Sequence, residues 1–401
     1  MVKTDFDLLI VGAGMVGSSL ALALQNIGLR IALVEAQDLL EHHQPGFDDR
    51  GIALSYGSQR IFETMQLWSQ LADKATPIHG IHISDRGHFG VTRLNAQTEK
   101  VPALGQVMTA KHLGIQLNQA LQQHPTLSIL TPIHVNSLEQ NATSVSVNLS
   151  DGQQLTTRLL VGADGQFSTI RNLLGLTSWQ REYQQTAITA NVIPERAHQN
   201  WAYERFTEHG PLALLPMSEG RCSLVWTVKT GEEQALLLSN EQQFAEQLQK
   251  AFGYRLGHFE KIGQRSSYPL GLMQTNQPVQ NRVVLIGNAA HSLHPIAGQG
   301  FNLGLRDAAV LAELIAARPE DCGHASLLQD YSNWQQQDQD KVVNATDFLV
   351  NTFSNNHFLL GHGRSLSLAL LNGLPRLKNQ LAKTSMGLSG KQSRLSRGLP
   401  L

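Results

Sequence analysis

Residues 7–35 read DLLIVGAGMVGSSLALALQNIGLRIALVE. Residues 7–11 form a short run, continuously apolar after Asp7, the pattern of a fully buried strand. Residues 12–17 are a glycine-rich turn, and 18–27 read as a helix with Leu20, Ala21, Leu24 and Ile27 on one stripe, ended by Gly28. Residues 30–34 are a second strand, closed by Glu35. Strand, turn, helix and strand at this spacing make a βαβ unit. Gly12 permits the tight turn, Gly14 lets the backbone approach a pyrophosphate, and Gly17 lets helix and strand pack closely. The helix N-terminus offers free N–H groups and partial positive charge to phosphate. Gly12, Ala13, Gly14 and Gly17 are therefore candidate cofactor contacts. Glu35 is placed to accept hydrogen bonds from adenosine ribose hydroxyls. The unit predicts a bound dinucleotide and does not by itself separate FAD from NAD.

Two further segments narrow the choice. Residues 162–165, Gly-Ala-Asp-Gly, follow an apolar strand and precede Ser168 and Arg171. Asp164 and Gly165 are expected where a cofactor crosses the sheet edge, although Asp-Gly alone is usually only a turn. Residues 287–307 read GNAAHSLHPIAGQGFNLGLRD. Gly287 ends a strand, and Asn288 follows where a ribityl hydroxyl can be bonded. Residues 295–300 are a loop flexible enough for a flat ring to come close. Pro295, Gly298 and Gly300 are expected to face the ring, with Gln299, Phe301 and Asn302 beside them and no side-chain nucleophile. A helix beginning near Asn302 points its N-terminus at that loop, where it favours a reduced, anionic flavin. His291 and His294 lack the acidic or thiol partners of a metal site. Together and in this order, the three segments describe a site for FAD.

The 401 residues allow two domains, and 41% apolar with 16% charged residues is a globular composition. A net charge of −1 gives no bulk attraction to nucleic acid. Cys222 and Cys322 stand far apart in no metal-like pattern and read as reduced thiols. No signal peptide or membrane-spanning run is legible. The expected location is cytoplasmic or peripheral to a membrane, the inner membrane in the latter case. Beyond the first unit, residues 47–71 read as loop then helix, 112–123 and 239–252 as helices, and 283–286 as another buried strand. Residues 186–193, 201–206, 212–215 and 221–228 alternate as antiparallel strands do. The expected architecture is α/β. A Rossmann-like FAD-binding domain takes residues 1–75, 102–171 and 276–350. An interleaved antiparallel-sheet substrate domain takes 76–101 and 172–275, and a basic amphipathic helical tail takes 351–401. After Asp347 there is no acidic residue. Arg364, Arg376, Lys378, Lys383, Lys391, Arg394 and Arg397 give the tail +7 among many leucines. Such a segment lies on anionic lipid or packs on the body as a helical pair.

These segments resemble the class A flavoprotein aromatic hydroxylases of the para-hydroxybenzoate hydroxylase type, over about residues 5–350. The resemblance rests on the first glycine turn, on Gly162-Ala163-Asp164-Gly165, and on Pro295, Gly298, Gly300 and Asn302. Residues 49–55, DRGIALS, and 204–217, ERFTEHGPLALLPM, are similar to the ubiquinone-biosynthesis hydroxylases, and within these to the group acting on 2-octaprenyl-6-methoxyphenol. Asn288 stands where the wider family has Asp, which replaces a charge-assisted hydrogen bond with a weaker one. The resemblance implies that NAD(P)H reduces FAD, that dioxygen forms a flavin C4a-hydroperoxide, and that one oxygen passes to a prenylated phenol. It implies that Arg50 sits by the flavin or the incoming nicotinamide, the alternative being a surface salt bridge. It also implies that Leu212, Leu214, Leu224 and Trp226 roof the substrate pocket, the alternative being sheet core. Other readings are a hydroxylase for a different ring position and a FAD-binding assembly subunit among other ubiquinone-biosynthesis proteins.

Overall fold

The strand Phe6–Val11 pairs in parallel with Ile31–Val34, and the helix Met15–Ala23 crosses between them. Every residue of that first strand after Phe6 is buried, as a parallel strand covered on both faces must be. The computed structural model describes residues 3–39, 50–124, 126–292, 299–353 and 374–401. The first sheet runs in the order Val279–Gln280, Val283–Leu285, Gln154–Gly162, Phe6–Val11, Ile31–Val34, Leu127–Leu130. All neighbours are parallel except the outermost pair at Val279–Gln280. Its main core joins Leu8, Ile10, Leu20 and Leu33 to Leu305, Leu311 and Ile315 of the helix Gln299–Ala317.

The second sheet runs His291–Ser292, Ser266–Thr275, Ser178–Pro194, Cys222–Lys229, Gly210–Pro216, Trp201–Thr207, Gly80–Asp85, Val91–Asn95. One face is covered by the helix Glu241–Phe252, which Asn240 and Gln243 start with a reciprocal capping box. Phe244, Leu248 and Phe252 of that helix pack on Ile188, Val192, Leu212, Leu214, Leu224 and Trp226. This corrects the expected substrate wall. Leu212, Leu214 and Leu224 are fully buried under the helix, and Trp226 nearly so. The strands alternate as expected, but the more apolar parity is the core side. The opposite face presents the half-buried Ile81, Ile83, Glu204, Ala213, Leu215 and Val225.

Gly51–Ser55 is a strand where a loop was expected. It joins Gly105–Thr109 and Thr76–Ile78 in a third, small sheet. Its partner lies some fifty residues away, so no local periodicity announces it. Ser55 caps the helix Tyr56–Thr64 through the Ser58 N–H. The described part of the C-terminal tail packs on the body. Gly57 N donates to Met386 O at 2.8 Å and Thr64 Oγ1 to Leu395 O at 3.0 Å, and Ala382 and Met386 are buried against Leu94, Leu104 and Ala202. Residues 354–373 lie outside the described residues. Among the described residues no helix is long and apolar enough to cross a membrane.

Arg282 anchors the strand Val283–Leu285, which leads into the third motif. Its guanidinium meets Asp321 with two bonds, 2.7 and 3.0 Å, and also reaches the Ala142 and Arg158 carbonyls. The Arg282 hydrogen bonds hold the Asp321 carboxyl below its ordinary range. A depressed carboxyl stabilises fully above its unfolded value, about 4, and that stabilisation is lost as pH falls through the folded value. Asp321→Asn should therefore cost about 1 kcal/mol near neutral pH after solvent screening. In thermal unfolding, the gap between wild type and variant should narrow below about pH 4. A gap that is unchanged in acid would refute this role.

Candidate functional site

The three motif segments meet at the C-terminal ends of the parallel strands, where open α/β sheets bind ligands. Gly12 has φ +103°, and a Cβ there would meet the Ala163 carbonyl oxygen at 2.5 Å. Ala163 N in turn donates to Val11 O at 2.7 Å, and Ile286 N to Gly162 O at 2.9 Å. Arg171, buried behind the second motif, donates to Ala289 O at 3.0 Å and so ties that turn to the third segment. Val16 of the first helix fills the space left by Gly287 and Gly304, where an added Cβ would lie 3.2 and 2.9 Å from it. A side chain at Gly17 would overlap the Gly12 carbonyl.

Two glycines behave differently. A Cβ at Gly14 or Gly300 would meet nothing within 4 Å. Gly14 is the N-cap of Met15–Ala23 with no side chain capping it, so the first N–H groups of that helix face open space. Gly300 occupies the first turn of Gln299–Ala317. These are bare backbone cradles at two helix N-termini, one suited to a diphosphate and one to the anionic edge of a ring.

The other candidates divide by what their side chains do. Glu35 Oε2 accepts from Ala13 N at 2.7 Å and Oε1 from Gln37 N at 3.0 Å, which leaves lone pairs for ribose hydroxyls. Asn288 is exposed beside the buried Gly287, with its amide free to bind. Asp164 is spent on its own turn, accepting from Ser168 Oγ at 2.6 Å and Ile170 N at 3.1 Å, next to Gly165 in a left-handed conformation. Asn302 is buried and braces the site. Its Oδ1 accepts from Ser55 N at 2.8 Å and Ser58 Oγ at 2.7 Å, and its Nδ2 donates to Ala53 O at 2.8 Å. Phe301 packs partly on the core, and Gln299 starts the helix. Pro295 and Gly298, with His294, lie outside the described residues. The cradles, the free amide and the acid at the strand end fit FAD.

Sequence reasoning missed Asp307. Its fully buried carboxyl accepts from Gly287 N at 2.9 Å, His291 Nε2 at 2.6 Å and Gln335 Nε2 at 2.7 Å. His291 is therefore a structural partner, and the described residues contain no cluster able to hold a metal. Two cavities lie where the second sheet meets the small third sheet and its flanking elements. A cleft of about 530 Å³ is lined by Arg50, Lys111, Arg221 and Lys261, with polar Thr189, Asn191 and Ser223 and, among the described residues, no acid in its wall. Arg50 lies 5.8 Å from the Tyr268 ring centre. A second cavity, lined by Leu54, Ser55, Ile81, Glu204, Leu215 and Asn302, reaches the brace at the start of Gln299–Ala317. Burial pushes the Glu204 carboxyl up to about 7.

The two kinds of glycine give a direct test. Gly14→Val should leave the fold intact, because nothing opposes the new side chain, yet lose flavin by blocking the cradle. Gly17→Val should instead lower the unfolding midpoint, because the collision is internal. Flavin absorbance of the purified variants, read beside their thermal melts, separates the two outcomes. A Gly14→Val protein that retains flavin would remove that cradle from the site.

A family model described as FAD binding domain matches residues 5–346. The ubiquinone hydroxylase UbiL of Rhodospirillum rubrum is 36% identical, over 98% of this chain and 93% of its own length. The 3-demethoxyubiquinol 3-hydroxylase of Escherichia coli is 30% identical, over 97% of this chain and 100% of its own. Among solved structures, p-nitrophenol 4-monooxygenase PnpA from Pseudomonas putida superposes with a TM-score of 0.80 at 16% identity, covering 97% of this chain and 100% of that one. That likeness agrees with the expected fold class, an α/β FAD domain carrying an interleaved sheet. The chain belongs to the FAD-dependent aromatic monooxygenases, in the family of ubiquinone-biosynthesis hydroxylases.

Proposed function

We infer that the protein hydroxylates a polyprenylated phenol, 2-octaprenyl-6-methoxyphenol, with NAD(P)H and dioxygen as co-substrates. The observation that carries this reading is the chemistry of the smaller cavity. Among the described residues its wall is apolar apart from neutral polar groups and one acid, Glu204, with no cation. An aromatic acid would need a cation there to bind its carboxylate, whereas an uncharged phenol finds apolar contacts. The similarity of residues 204–217 to the narrower group of hydroxylases supports the choice of ring.

Bound FAD supplies the redox chemistry, taking electrons from NAD(P)H and activating dioxygen. The chain's residues bind, orient and shield. Gly14 and the first turn of Met15–Ala23 take the diphosphate, Glu35 the adenosine ribose, and Asn288 a ribityl hydroxyl. Pro295, Gly298 and Gly300 line the flavin. Arg50, Lys111, Arg221 and Lys261 take the diphosphate of NAD(P)H in the larger cleft, where four cations converge, Arg221 also reaching the exposed Glu219 at 3.5 Å. Ile81, Ile83, Leu215 and Val225 keep water from the reacting ring.

The tail helix Pro375–Ser385 brings the protein to the cytoplasmic face of the inner membrane, where a polyprenyl chain resides. Leu374 and Leu377 are nearly half exposed, beside the exposed Arg376 and Lys383. Replacing both leucines by Glu should cut sedimentation with anionic lipid vesicles at least about tenfold, while bound flavin is retained. Unchanged partitioning would exclude this face as the membrane contact.

A second ring position is favoured by the relative named for 3-demethoxyubiquinol. Gene deletion followed by mass spectrometry of the accumulated prenylphenol separates the two. Accumulated 2-polyprenyl-6-methoxyphenol with loss of ubiquinone is the expected result. A different prenylphenol moves the ring position, and unchanged quinones overturn the pathway reading.

A further inference from the structure

Glu204 lies on the strand Trp201–Thr207, opposite Ala213 of Gly210–Pro216 and Ile83 of Gly80–Asp85. Among the described residues it is the one carboxyl on the open face of the second sheet where that face meets Ser55 and Asn302. Its Oε1 is buried and has no hydrogen-bond partner among them. The described parts of the neighbouring elements bring no charge to it. The adjoining strands contribute Ile81, Ile83, Ala213 and Leu215. The small sheet adds Ala53, Ser55 and Gly105, the helix Gln299–Ala317 adds Asn302, and the tail adds Ser385. Tyr203 also lines the cavity, but its ring packs edge-on against Phe252, 5.8 Å away on the covered face.

An unpartnered carboxyl oxygen in an apolar wall is costly. Ser55, Ser58 and Asn302 are already engaged with one another, and Ser385 donates to the Ala382 carbonyl, so none relieves it. Glu204 lines a cavity that a ligand can enter. At about 60 Å³ the cavity accepts the hydroxyl-bearing edge of a ring, with the rest of the substrate outside it.

We propose that Glu204 accepts the proton of the phenolic hydroxyl as the ring is oxygenated. This rests on the phenol reading above. The phenol O–H bond breaks, and its proton joins Glu204 Oε1. The electron pair stays on the ring oxygen and enriches the ring carbon that forms the new C–O bond. That carbon then loses its hydrogen as a proton, aromaticity returns, and Glu204 gives its proton back, ending as it began. Dioxygen supplies the oxygen atom as its O–O bond breaks, its second oxygen leaves as water with the proton shed by the ring carbon, and NAD(P)H supplies the two electrons, as in the activity proposed above. Burial raises the carboxyl to about 7, where a base is well matched to neutral pH. Below that value it is protonated and cannot accept, so turnover rises as pH passes through it.

The test uses full-length, FAD-loaded enzyme with 2-prenyl-6-methoxyphenol, comparing wild type, Glu204→Gln and Glu204→Asp. Glu204→Gln should keep its flavin spectrum and thermal midpoint. Its hydroxylation kcat should fall about 100- to 10,000-fold and lose the limb near pH 7, while NAD(P)H oxidation continues and releases peroxide. Glu204→Asp should recover part of the rate together with a pH limb. A merely structural role would lower stability and leave the limb in place. If wild type makes product and Glu204→Gln matches its rate and pH limb, the Glu204 assignment alone fails. If wild type makes no hydroxylated product, the phenol reading fails and takes this assignment with it.

Discussion

The buried carboxyl of Asp307 holds this architecture together. It sits on the helix Gln299–Ala317 and fixes the end of the last parallel strand through Gly287, a strand of the second sheet through His291, and the long C-terminal helix Ala325–Phe353 through Gln335. Removing any one donor would strand a buried polar group, which costs far more than an exposed bond gains. One and a half turns earlier on the same helix, Asn302 braces the small sheet. The small sheet and the end of the last parallel strand are thereby referenced to one helix, whose N-terminus is the end proposed to face the flavin.

Glycines then decide how closely the parts approach. Val16 wedges between Gly287 and Gly304, and Gly12 and Gly17 bring strand, turn and helix into contact. Gly14 and Gly300 do the opposite and leave backbone uncovered. Packing and binding are thus assigned to different glycines within a few residues of each other, and neither function compromises the other.

The cofactor half of the site was largely legible because its motifs are local. Residues 12–17, 162–165 and 287–302 each pair a strand end with a helix start, and each was readable without knowing its neighbours. The substrate half was not. Alternation marked two parities on each strand but could not say which one a helix would cover, since Leu212 and Leu215 are chemically alike. The small sheet escaped because Gly51–Ser55 pairs with Gly105–Thr109, far away in sequence. Asp307 escaped because a single acid inside an apolar helix has no periodic signature, and its three donors come from three separate segments. Residues 374–401 read equally as a lipid-seeking tail and as a packed one. The buried Ala382, Met386 and Leu395 show that much of their apolar surface serves the fold.

The alternation across the second sheet has a consequence for how such an enzyme changes over generations. Residues 212, 214, 224 and 226 hold the sheet to its covering helix, whereas 213, 215 and 225 lie half-buried on the other side. The two faces are interleaved along the same strands, and of these three open-face residues only Leu215 also packs on a core cluster, that of Ile78, Leu104 and Met386. On the proposed reading of the open face, a lineage can change the ring it accepts by single substitutions at 213 or 225, with the melting temperature largely untouched. A mutant library confined to those two positions would sample new substrates while sparing the core.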